Sequence, residues 1–557
     1  MTEPSRESTA IDAVAESWVD TVAELVPTVA TFIGRNEHND RLGDHGPEGH
    51  DELARQAEVT RRSLSGHEPV DPVDAVTQMD LTRELDLMLE LHSAGAHLRD
   101  LNVIASPVQD IRAVFDLMPT DSVDDWAVIS RRLHAVPAAI DGYIRTLAQG
   151  ISAGVVPARR QVTEAIVQIA RYTSNTGFFA EFVRTGGPGH GQLPASLARD
   201  LSDGANAARV SYDRLASFLR TELAPVASEK DAVGRDLYAL RSRQFLGAKV
   251  DLDETYQWGI EELARMVAEQ EQIADQILPG ASVAEAISHL EQDGSRRLHG
   301  TEALREWMQQ TSDRAVAELG RSHFEIAEPI RALECRIAPT AEGGIYYTGP
   351  TDDFSRPGRM WWSVPEGVTE FDTWRELTTV YHEGVPGHHL QIAQAVYNRR
   401  QLNSWRRLLA GTSGHAEGWA LYAERLMQEL GYLDDPANRL GMLFAQRLRA
   451  ARVVVDIGVH LGKPRLDGDG IWDADEAFRF IRANATESDP VVNFEVNRYL
   501  GWPGQAPSYK VGQRLWEQLR DHVRADEGAN FDIRRFHKRA LDIGGVGLDT
   551  LRAALIG

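Results

Sequence analysis

The sequence predicts a mainly α protein, large and helical, with a small antiparallel β ribbon or sheet beside a functional cleft. Three observations predict it. Apolar side chains recur at three- and four-residue steps over most of the 557 residues, one short stretch breaks into β-favouring runs bounded by Gly and Pro, and helical periodicity then returns.

From Trp126 to Leu147 the apolar residues Trp126, Ile129, Leu133, Val136, Ile140, Tyr143, Ile144 and Leu147 form one face of a core helix, with Pro137 as a site of kinking. The polar stretch from about Gly34 to Asp80, in which His38, His45, His50 and His67 are scattered, reads as surface loop with solvated histidines. RTGGPGHGQLP, Arg184 to Pro194, reads as a connection, since no strand-then-helix pattern surrounds it. We divide the chain there into an N-terminal helical region, 1–195, and a second, 196–557, that carries the β ribbon, the two packed around one cleft. The ribbon is expected between His323 and Val364, from RALECRIAP, GGIYYTGP and GRMWWSVP. Helix resumes at Thr373, where TWRE has the form of a capping box, and that helix delivers His382.

Composition excludes several classes. The chain has 83 acidic against 59 basic residues, a formal charge of -24, which argues against partners that are nucleic acid or anionic membrane. One cysteine, Cys335, excludes a disulfide framework and a multi-thiolate metal site. The start lacks a basic, then apolar, leader and no apolar run is long enough to span a bilayer, so the expected location is cytoplasmic.

The chemistry is concentrated in YHEGVPGHHLQ. Zinc hydrolysis needs three protein ligands, an open position and a base. HExxH supplies two histidines on one helix face with a glutamate beside them. Here the residue four after His382 is Pro386, and the next histidines are His388 and His389. In a regular helix His388 points roughly 120° away from His382, and His389 lies about 10 Å further along, so neither shares an ion with it. Pro386 and Gly387 must break the helix for His388 to swing in; His389 is the alternative ligand. The third ligand is expected in GHAEGWALYAE, where Glu417 and Glu424 lie seven apart on one face: Glu417 as ligand, Glu424 holding a ligand histidine or simply solvated, and His415 contacting substrate, capping or packing.

At these residues the chain resembles a bacterial family catalogued as domain of unknown function 885, of the glutamate-zincin class of metallopeptidases. The resemblance rests on YHEGVPGHHLQ and GHAEGWALYAE, on DDFSRPGRMWW before them, and on RAARVVVDIGVH and RYLGWPGQAPSYKVG after them, and covers most of the chain. It implies a helical zinc peptidase with a deep cleft, with His382 and His388 in the ligand places, Glu417 in the third and Glu383 as general base, around one Zn2+.

An oxyanion donor is also needed, and Tyr499, Tyr509 and His460 are the candidates. Arg452, Asp456 and His460 share a helical face, equally suited to an ion-pair ladder. Gln505 and Lys510 are presented by a Gly- and Pro-rich turn. Arg356 suits a substrate carboxylate or pairs with Asp352 or Asp353; Tyr346 and Tyr347 line the same wall if the ribbon edges the cleft. The expected activity is hydrolysis of a peptide. The alternatives are a zinc amidohydrolase acting on a small amide substrate and a non-catalytic helical binding protein with a structural or degenerate metal site.

Overall fold

A computed structural model describes residues 6–189, 192–338 and 344–557. Helix dominates from its first ordered turn. Thr9 caps α1 (Ala10–Leu25) through a reciprocal bond with Asp12. Pro47 and Pro72 then open α2 (Pro47–Leu64) and α3 (Pro72–Ser93) at positions where a missing N–H costs nothing. The stretch from Gly34 to Asp80, expected as surface loop, is therefore largely helical. Its apolar stripe is thin, only Ala54, Ala57 and Leu64 being buried in α2, so the pattern reads as polar although the face packs. His50 is not a solvated histidine either: with His92 it flanks His97, ring centroids 4.8 Å apart in both pairs, at a cavity of about 370 Å³.

The Trp126 periodicity becomes α4 (Val123–Ala153), which runs through Pro137. With α5 (Arg159–Thr173), α6 (Phe178–Thr185) and α7 (Ala195–Phe218) it encloses an apolar cluster around Ile129, Leu133, Ile140 and Tyr212. Placing the division at residue 195 assigns α7 to the second region, yet Leu201, Ala208 and Leu215 bury it in the first bundle.

The larger cluster is built by α8 (Leu252–Ile277), α9 (Thr301–Ser322) and the helices that follow the strands. β1 (Arg297–His299) pairs antiparallel with β5 (Glu370–Asp372). β2 (Leu333–Ile337), β3 (Ile345–Thr348) and β4 (Gly358–Trp362) form a second sheet in the order β2-β4-β3, antiparallel between β3 and β4 and parallel between β2 and β4. Thr373 does not close a capping box. Asp372 precedes the first turn without a side-chain cap, while the Thr373 hydroxyl donates to the Arg296 carbonyl, 2.9 Å away, and so ties the helix start to the β1 strand.

The helices that follow the strands include α10 (Thr373–Glu383), α11 (His388–Tyr397), α12 (Ser413–Glu429), α13 (Pro436–Leu461), α14 (Asp489–Gly501) and α15 (Ser508–Glu527). α12 and α15 approach closely because Gly418 faces Gly512: a Cβ on Gly418 would stand 2.4 Å from the Gly512 carbonyl carbon. Among the described residues no helix is long and apolar enough to cross a membrane.

His537, on α16 (Ile533–Asp542), locks α12 to this core. Tyr422 donates to its Nε2 at 2.8 Å and its Nδ1 donates to the His323 carbonyl at 3.0 Å. Burial pushes its pKa down to about 3. The unfolded chain therefore takes up a proton below about pH 6.5 that the folded chain refuses, and stability falls as pH drops from 6.5 toward 3. At pH 5 the loss from this residue is about 2 kcal/mol. Denaturant titrations at pH 7.5 and 5 should show a smaller pH-dependent loss in His537→Gln than in the wild type; an equal loss would remove His537 from the account.

Candidate metal centre

The helix carrying His382 ends where the sequence requires it to. Gly384 N–H still donates to the Val380 carbonyl at 2.9 Å, but after the cis Val385–Pro386 bond the Gly387 N–H turns back to the Tyr381 carbonyl at 3.0 Å, and α11 starts at His388. A Cβ on Gly387 would lie 1.8 Å from the His382 carbonyl oxygen, so only glycine closes the break. Trp419 fastens it from α12, its Nε1 donating to the Pro386 carbonyl at 2.9 Å.

The break turns His388 back toward His382. Their rings stand 4.8 Å apart and perpendicular. Each aims Nε2 at one oxygen, Glu417 Oε2, at 3.3 Å from His382 and 3.6 Å from His388. That oxygen is buried and accepts no hydrogen bond. An unsatisfied buried carboxylate oxygen costs several kcal/mol unless a cation meets it. Donor atoms bound at 2.0 to 2.2 Å by a tetrahedral ion stand roughly 3.3 to 3.6 Å apart, which is the spacing from each imidazole Nε2 to Glu417 Oε2. The three side chains therefore fit a divalent metal.

Glu383 also brings a ligand atom within 4.8 Å of those of His382 and His388, so it competes formally for the third place. We assign that place to Glu417, because both Nε2 atoms converge on its unsatisfied oxygen. Glu383 is left beside the ion position, where burial raises its proton affinity against the opposing pull of His388 and His382, as suits a group that accepts and returns a proton.

His382 is held from behind. Its Nδ1 bonds Glu424 Oε1 at 2.8 Å, and Glu424 Oε2 accepts from Gln446 Nε2 at 2.9 Å. Gln446 Oε1 accepts from Lys510 Nζ at 2.6 Å, and Lys510 also bonds Gln513 and pairs with Glu262 at 2.9 Å. Burial opposes charge on His382, but Glu417 and Glu424 outweigh it and hold its pKa up at about 10. Glu424 is thus neither a ligand nor a solvated residue. It fixes the tautomer and orientation of the imidazole.

Several expected site residues stand elsewhere. His389 cannot substitute for His388: Tyr347 Oη lies 2.9 Å from its Nδ1 and the Ile330 carbonyl 2.6 Å from its Nε2, which occupies both nitrogens. Tyr347 is consequently a buttress and not a free wall residue, while Tyr346 stacks on Trp361 on the exposed side of the ribbon. Lys510 spends its three protons inside the network just described. Gln505 is taken by Arg498 at 2.6 Å, and Arg356 donates to the Pro357 and Gly349 carbonyls of its own loop, pairing with neither Asp352 nor Asp353. Asp352 pairs instead with Arg407.

Of the oxyanion candidates, His460 lies fourteen residues beyond Gln446 on α13, roughly 21 Å along the helix, and bonds the Tyr499 carbonyl at 3.0 Å. Tyr499 is buried between Arg452 Nε and Glu495 Oε2, both at 2.6 Å. Arg452, Asp456 and His460 form no ladder, since Asp456 accepts from Tyr238 and from the Gly504 N–H. His415 packs against Trp516, with Gln391 Nε2 at 3.3 Å. Tyr509 remains: it is half-buried, burial and then the Glu417 charge raise its pKa, and its hydroxyl makes no hydrogen bond among the described residues.

Two consequences can be measured by competition with a chromophoric chelator. Glu424→Ala should weaken zinc binding by about 10- to 100-fold through loss of imidazole orientation. Gly387→Ala should weaken it further, by moving His388. Unchanged affinity in either variant would contradict the corresponding contact.

The geometry can be set beside known proteins. Among curated proteins none matches the chain. A proposed lipoprotein from Colwellia psychrerythraea has a similar solved structure, with TM-score 0.84 and 21% identity over 98% of each chain. A second, a proposed lipoprotein of unknown function from Shewanella oneidensis, gives TM-score 0.78 and 16% identity over 99% of this chain and 100% of that one. At such identity these likenesses show the fold alone. The model of the bacterial family of unknown function DUF885 matches residues 27–555, nearly the whole length, and the chain belongs to that family.

Proposed function

We propose that this protein is a zinc-dependent peptidase of glutamate-zincin type, in which His382, His388 and Glu417 hold one zinc ion. The observation that carries this reading is the buried, unsatisfied Glu417 oxygen between two imidazole nitrogens with Glu383 alongside. When bound, zinc supplies Lewis acidity to a carbonyl oxygen and to a water molecule. Glu383 then takes the proton from the attacking water and returns it to the departing amine, a role its burial favours. Tyr509, whose hydroxyl has no hydrogen-bond partner among the described residues, would donate to the oxygen that gains charge at the carbonyl. Glu424, Gln446 and Lys510 keep the His382 ring from rotating. An extended peptide can lie along β3, which stands at the edge of its sheet among the described residues.

Glu383→Gln should keep one zinc per chain and lose at least about 1,000-fold in kcat against a peptide library, a span consistent with loss of the general base and its charge. Tyr509→Phe should lose roughly 10- to 100-fold with the metal retained. Full activity in Glu383→Gln would remove the proposed base. A zinc-loaded wild type that cleaves small amides but no peptide would move the substrate class, and one that cleaves neither would favour a binding protein with a degenerate site.

A further inference from the structure

Arg449 is the charged group at this centre that no structural role accounts for. It lies on α13 three residues after Gln446, about 4.5 Å further along the helix and on the same side as the amide that bonds Glu424. It is half-buried, and its Nε is fully buried without a hydrogen-bond partner. Its one hydrogen bond runs from NH1 to the Ala445 carbonyl of its own helix, at 3.3 Å. It forms no ion pair among the described residues. Its neighbours differ: Arg452 pairs with Glu495 at 2.8 Å and Arg498 with the same carboxylate at 3.2 Å.

What surrounds Arg449 defines what it can meet. The guanidinium carbon stands 5.9 Å from the centre of the Tyr509 ring, so the ring walls one side. Gln446, one turn earlier on the same helix, bonds Glu424, so Arg449 stands within a helical turn of the group that holds His382. A guanidinium presents paired N–H groups that match the two oxygens of a carboxylate. A peptide's terminal carboxylate lies one residue, about 3.8 Å of chain, past the last amide bond, so its binder must stand beside the metal ligands and not far along a cleft.

We propose that Arg449 binds the free α-carboxylate of a peptide substrate, which makes the centre a carboxypeptidase that removes the C-terminal residue. This rests on the peptidase reading above and fixes its substrate class. Arg449 acts by positioning: it sets the last amide at the ion and Glu383, and takes no proton itself.

The test uses matched peptides with a free C-terminal acid or a C-terminal amide, on zinc-loaded wild type, Arg449→Met and Arg449→Lys. The wild type should favour the acid by on the order of 100-fold in kcat/KM. Arg449→Met should lose that factor on the acid alone, and Arg449→Lys should regain part of it. Equal cleavage of acid and amide by the wild type, or equal losses on both in Arg449→Met, would overturn the assignment, the second result marking an oxyanion or structural role. If no peptide of either form is cleaved, the peptidase reading fails separately, and calorimetric titration of zinc-loaded protein with an N-acetyl dipeptide acid and its amide decides Arg449. Preferential acid binding lost in Arg449→Met would uphold carboxylate recognition; equal binding would overturn it.

Discussion

The packing of Gly387 against the carbonyl oxygen of His382 is the contact on which the proposed metal centre depends. A helix continued through Pro386 would send His388 to the far side of the chain. Interrupted there, with the Gly387 N–H returned to the Tyr381 carbonyl and Trp419 bonding the Pro386 carbonyl, the same seven residues bring two imidazoles to one carboxylate oxygen. The break costs helical hydrogen bonds at its ends, and α12 replaces part of them from outside. α12 supplies both the clamp, Trp419, and the carboxylates Glu417 and Glu424, so the site and its support are one element. The close approach of Gly418 to Gly512 in turn seats α15, and with it Tyr509 and Lys510, against that element.

Charge in this core is arranged in layers. Glu417 faces the ion position with an oxygen left unsatisfied, Glu424 holds the back of His382, and Gln446, Lys510 and Glu262 satisfy Glu424 from behind. Within this relay each polar group has its partner, which is what a low-dielectric interior demands. The polar groups without one are informative for the same reason. Glu417 Oε2 lies between the two imidazole Nε2 atoms, and Arg449 Nε lies on α13 one turn past Gln446.

Much of this was legible in the sequence. Predominant helix, a short β interruption and the grouping of His382, Glu383, His388 and Glu417 follow from periodicity, turn residues and motif spacing. The requirement for a break at Pro386 and Gly387 also follows, because the helical repeat forbids the spacing otherwise. What escaped has physical reasons. α2 buries only Ala54, Ala57 and Leu64, so its face is too thin for periodicity to register, and Pro47 and Pro72 are helix starters within a stretch rich in turn residues. Tyr499, His460 and Lys510 are residue types that serve catalysis and buried networks equally, and spacing does not distinguish the two uses. Gln446 and Arg449 belong to no motif, standing singly on a largely buried helix. The available signal was a polar side chain at three-residue steps on a helix otherwise buried, at Gln446, Arg449 and Arg452.

The central claim is that His382, His388 and Glu417 converge on one metal ion. The most direct measurement is anomalous diffraction at the zinc edge from crystals of zinc-loaded protein. The account predicts a single strong peak with the two Nε2 atoms and a Glu417 carboxylate oxygen about 2.0 to 2.2 Å away, and Glu383 outside that distance. A peak elsewhere, a peak that draws in His389 in place of His388, or no peak in zinc-saturated crystals would contradict it.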